Sequence, residues 1–119
     1  MILAAVEDLF FASKIRAVAE GLDVQVKFVR SLAGAVEAAK TEAPTAVIAD
    51  LHGQRIDPVQ LASEFKNQDT LRSIPLVGYF SHVDVRLRDS AQNAGFDYVM
   101  PRSAFTNKLP DILSGHIDG

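Results

Sequence analysis

Apolar residues in this chain fall into two alternating rhythms: short unbroken runs, and longer stretches at helical spacing. Ile2 to Val6 is a continuous apolar run closed by Glu7 and Asp8, the pattern of a strand buried on both faces of a parallel sheet. From Leu9 to Glu20, Phe11, Ile15, Val18 and then Leu22 recur with helical period, and Gly21 stands where a left-handed cap would end the helix. Val24, Val26 and Phe28 alternate with Gln25 and Lys27, which predicts a half-exposed edge strand, and Ser31 caps an alanine-rich helix reaching about Glu42. After Pro44 comes a second fully apolar run, Ala46 to Ala49, ending on Asp50 as the first run ended on Glu7 and Asp8.

The second half keeps the rhythm. Asp57, Pro58, Val59 and Gln60 form a capping-box pattern with proline at the first helical position, opening a helix to about Asn67 with Leu61, Ala62 and Phe65 inward. Pro75 introduces a strand from Leu76 to Phe80. Asp84 caps a helix with Leu87, Ala91 and Ala94 on one face and Gly95 at its end. Tyr98 to Met100 is a short fifth strand. Phe105, Leu109 and Ile112 mark a last helix ended by Gly115, in which Pro110 is tolerable only near the first turn. Five strands alternating with five helices predict an α/β fold, a flavodoxin-like (βα)5 parallel sheet of order 2-1-3-4-5 with right-handed crossovers. Ligands of such sheets bind beyond the carboxyl ends of the strands, where Glu7, Asp8 and Asp50 converge.

Composition narrows the function. The 119 residues fit one domain spanning 1–119, and 48% hydrophobic with 23% charged residues is the balance of a folded globule. The net charge of -3, with lysines and arginines scattered, lacks the basic footprint of a nucleic-acid-binding module. Absence of cysteine excludes disulfides and thiol nucleophiles. The amino-terminal run has no basic flank and is too short for a signal peptide or membrane span, so a cytoplasmic location is expected. Three carboxylates at one rim repel one another unless a cation sits among them, so Glu7, Asp8 and Asp50 are candidate ligands for a hard ion such as Mg²⁺. His52 and His82 fall on the same rim; surface-loop histidines are the favoured reading, a mixed imidazole and carboxylate metal site the lesser one.

The order of elements and the placement of acids resemble the receiver (CheY-like) domains of bacterial two-component response regulators. The match rests on Ile2 to Val6 followed by Glu7 and Asp8, on Asp50 and Leu51, on Ile56 and Asp57, and on Ala94 to Asp97. The resemblance implies Mg²⁺ bound weakly by Glu7, Asp8 and Asp50. It also implies Asp50 as phosphoacceptor in a phosphorelay, a signalling role and no enzyme activity of its own. Its partner would be a histidine kinase, a phosphotransfer protein or another signalling protein, with no direct nucleic-acid or membrane partner and with homodimerisation left open. Output is expected through a partner surface or a further domain.

Departures from the family pattern are concentrated at the switch. The hydroxyl position ending the fourth strand falls on Phe80, with Ser81 one place later, and the lysine position falls on Arg102. The switch aromatic aligns with Val99, leaving Tyr98 on the other face of the pleat. Gly53, Gln54 and Arg55 replace the usual loop after the acceptor. Arg102 could still supply a cation, whereas Phe80 cannot hydrogen-bond a phosphoryl oxygen. Two readings stand: a phosphoacceptor receiver with an atypical switch, and a phosphorylation-independent pseudo-receiver acting as an interaction module.

Overall fold

The apolar runs form the sheet. In the computed structural model, which describes residues 1–116, β1 (Ile2–Ala5), β3 (Ala46–Asp50) and β4 (Leu76–Phe80) are flanked by β2 (Val26–Phe28) and β5 (Tyr98–Pro101). All pairings are parallel and the order is β2-β1-β3-β4-β5, as the alternation predicted. The three central strands are apolar on both faces because helices cover both faces. One face carries α1 (Leu9–Gly21) and α5 (Arg102–Leu113), where Ile2, Ala4, Ile48, Val77 and Tyr79 meet Phe11, Ile15, Phe105 and Leu109. The other carries α2 (Leu32–Glu42), α3 (Pro58–Asn67) and α4 (Val85–Ala94), where Leu3, Val47, Leu76 and Phe80 meet Ala35, Leu61, Phe65 and Ala91.

Local signals place most helix starts. Ser31 accepts a bond from Gly34 N, Asp57 from Val59 N and Gln60 N, and Asp84 from Leu87 N, satisfying amides that would otherwise lack partners. Pro58 occupies the first turn of α3, and Gly95 ends α4 at φ +123°, a conformation that L side chains rarely adopt.

Two helix ends differ from expectation. Gly21 is the last residue of α1 and not its left-handed cap; the left-handed residue is Asp23, at φ +56°. Val24 N donates to Ala19 O and Asp23 N to Glu20 O, the paired closure of a Schellman turn, so Val24 rejoins the core and the reversal falls two residues later. Pro110 lies in the final third of α5, since the helix already begins at Arg102. Burial of Phe105, Leu109, Ile112 and Leu113 holds the helix through the missing N–H, and Pro110 itself faces solvent.

Candidate functional site

β1, β3 and β4 deliver their last residues to the same rim, because parallel strands all end at one edge. Asp50 is the final residue of β3 and pairs in register with Tyr79. Its Oδ1 accepts from His52 N at 2.9 Å, fixing the turn that leaves the strand. Asp8 caps α1 with Oδ1, accepting from Phe10 N at 2.9 Å and Phe11 N at 3.2 Å. Its Oδ2 meets Arg102 Nη2 at 3.4 Å, and that guanidinium lies 4.0 Å from the centre of the Phe11 ring. The amide of Phe11 above all, with that of Phe10 and the charge of Arg102, holds the Asp8 carboxyl below its ordinary value of 3.8 against the opposing effect of desolvation.

Glu7 turns aside. Its Oε2 accepts from Gln54 N at 2.5 Å and Arg55 N at 2.9 Å, binding the loop between β3 and α3. Gly53 permits that approach: a Cβ there would stand 2.9 Å from the same carboxylate oxygen and 3.0 Å from Asp50 O. The loop that departs from the family pattern is therefore clasped by the acid expected to bind metal.

Among the described residues, no three acidic or imidazole side chains form a set able to hold a metal ion. The expected Mg²⁺ site of Glu7, Asp8 and Asp50 is thus not assembled, although all three stand at the predicted end of the sheet. Backbone amides engage one oxygen of each acid, and Arg102 occupies the other side of Asp8. Glu7 Oε1 and Asp50 Oδ2 accept no hydrogen bond among the described residues, so a hard cation at this rim would draw on those two oxygens and on Asp8 only once it is released from Arg102.

Behind the acids lies an aromatic wall that sequence reasoning missed. Tyr79 is 1% exposed, its ring centre 5.0 Å from that of Phe11 and 4.8 Å from that of Phe105. Among the described residues its buried hydroxyl has no hydrogen-bond partner. Burial first, then the charge of Asp50, pushes its ionisation far above the ordinary phenol range. Counting alternation from Val77 would have put Tyr79 on the face of α1 and α5.

Phe80 points to the opposite face and is buried in the core with Leu51 and Phe65, while Ser81 is exposed in the following bend. Val99 packs on the Phe80 side and Tyr98 on the Tyr79 side, so the aromatic does sit on the other face of the pleat. His52 and His82 stack with ring centres 4.2 Å apart, with no third ligand grouped about them among the described residues.

No protein-family model matches this sequence, and no curated protein matches it. Solved structures match in shape. A response regulator from Hahella chejuensis superposes with TM-score 0.83 at 19% identity, covering 98% of this chain and 93% of that one. The receiver domain of a sensor histidine kinase from Pseudomonas aeruginosa, solved with magnesium coordinated in its active-site cleft, gives 0.81 at 20% identity over 95% and 93%. The receiver domain of a signal transduction histidine kinase from Syntrophus aciditrophicus gives 0.78 at 22% identity over 99% and 92%. Strand order, helix placement and these superpositions agree: the chain has the CheY-like fold of response-regulator receiver domains.

Proposed function

We propose that residues 1–119 form one receiver-type, cytoplasmic signalling domain that works as a phosphorylation-independent interaction module. The observation that carries this reading is the pairing of Asp8 with Arg102, which puts a resident cation beside a carboxylate of the metal position and anchors it on Phe11. Arginine stays charged and lies over an aromatic ring, so Asp8 has a fixed counter-charge without an ion, while Glu7 and Asp50 keep their own charges. Phe80 supports the same reading, since a buried ring cannot follow a phosphoryl group as a hydroxyl does. The partner is another signalling protein, met through side-chain surfaces; nucleic acid and membrane play no direct part.

The second reading, Asp50 as phosphoacceptor for a histidine kinase or phosphotransfer protein, is favoured by one feature. Asp50 stands half-buried at the end of β3, and among the described residues only its Oδ1 accepts a hydrogen bond. On that reading Arg102 serves the lysine role, and weak Mg²⁺ binding requires Glu7 and Asp8 to leave their present partners. Intact mass after exposure to a small phosphodonor with Mg²⁺, in the parent and in Asp50→Asn, separates the two. Interaction-module behaviour predicts no phosphoryl gain and a melting temperature indifferent to Mg²⁺. A gain abolished by Asp50→Asn would establish the second reading.

A further inference from the structure

A pocket of about 410 Å³ opens beside the rim, between the ends of β1 and β2, the first turns of α1 and the loop before α3. That volume lies within the roughly 300–1,000 Å³ typical of small-molecule sites. Its floor is apolar, with Ala5, Val6 and Val29 buried. Leu9 forms part of the wall while remaining 80% exposed, an apolar surface that the protein itself leaves uncovered. Around this floor stand Arg16, Arg30 and Arg55, with Glu7 the sole acid. Three positive charges against one negative give a formal +2 in a chain whose net charge is -3. Among the described residues none of the three arginines has a carboxylate within ion-pairing distance, as is also true of Lys14, Lys40, Arg86 and Lys108, so no internal acid competes for them. Arg16 lies over the Phe28 ring, its guanidinium carbon 4.8 Å from the ring centre, and remains exposed, so a further planar group can approach the pair from solvent.

We infer that this pocket binds a small organic phosphate of the mononucleotide class, its phosphate among Arg16, Arg30 and Arg55 and its flat ring against Leu9 and the Arg16–Phe28 pair. A phosphate monoester carries about -1.5 to -2 charge and three acceptor oxygens, which match a +2 lining of forked donors better than a carboxylate with one charge and two oxygens. The apolar floor and the uncovered Leu9 require an organic body as well as an anion. Glu7 links this pocket to the rim, since it lines the pocket and holds the amides of Gln54 and Arg55.

Titration of the intact protein with adenosine 5′-monophosphate, adenosine and inorganic phosphate, followed by amide NMR, tests the assignment. The nucleotide is expected to shift Val6, Leu9, Phe28 and Val29 saturably and to bind more tightly than adenosine or phosphate alone. Arg16→Gln with Arg55→Gln should weaken it roughly 10- to 100-fold, the loss expected for two charge-assisted contacts, while Arg102→Gln leaves it unchanged. Both arginines are exposed, so the double variant retains the fold, which its unligated spectrum verifies. Absence of saturable shifts, equal binding of phosphate alone, shifts centred on Asp50 and Arg102, or affinity unchanged in the double variant would each overturn the proposal.

Discussion

Two side chains decide how the rim behaves at the scale of single residues. Tyr79 buries a hydroxyl without a partner among the described residues, which costs the desolvation of that group and returns no hydrogen bond. Tyr79→Phe should therefore raise stability by about 1 kcal/mol in chemical denaturation; a loss of that size would show that the hydroxyl has a bound partner. Asp8 has its folded pKa lowered, so the stability it contributes is fully present above its unfolded value and lost as pH falls through the folded one. Asp8→Asn keeps a capping oxygen and removes the charge. Its stability should vary less than the parent's as pH drops below about 4; identical acid profiles would mean that the carboxylate is not engaged as described. The acids and Arg102 were legible in the sequence as residue types at strand and helix ends. Their partners were not, because the Asp8–Arg102 contact joins residues 94 apart and the Glu7 amide bonds span 47 and 48.

Among the elements, α5 carries a visible defect. Pro110 removes a donor and crowds the preceding turn in a solvent-facing position near the helix end. Pro110→Ala should stabilise the protein by about 1 to 3 kcal/mol, read from the shift in denaturation midpoint; destabilisation would indicate that the proline packs against something. The starts of α2, α3 and α4 were legible because a cap is a local bond between residues two or three apart. The end of α1 was not, since Asp23 takes the left-handed conformation so that Val24 can pack, a tertiary demand that overrode the local preference for Gly21. Pro110 was misplaced for the same kind of reason: four buried side chains outweigh one absent hydrogen bond.

For the whole molecule, the rim and the covering helices are joined through β4, whose last two residues face opposite layers. Tyr79 packs against Phe11 and Phe105, and Phe80 packs toward α3 and α4. Phe80 is buried, and fully burying such a ring is worth about 1.5 to 3 kcal/mol, enough to hold β4 in one arrangement. A phosphoryl mimic should therefore perturb amide NMR signals at the rim alone in the parent. In a Phe80→Thr, Arg102→Lys double variant, changes should extend to α4 and β5. Wide changes in the parent would show a working two-state switch and sink the locked reading.

The two outer strands carry a further consequence. β2 is three residues long, with Lys27 tied to Glu42 of α2 at 3.1 Å, and β5 closes on Pro101, which has no N–H to offer. Short, charged and proline-ended borders are poor templates for annealing an additional strand. Copies can therefore be crowded or strung in tandem without zipping edge to edge. Backbone addition at either border is accordingly disfavoured, which leaves the helical faces and the rim as the surfaces open to a neighbour.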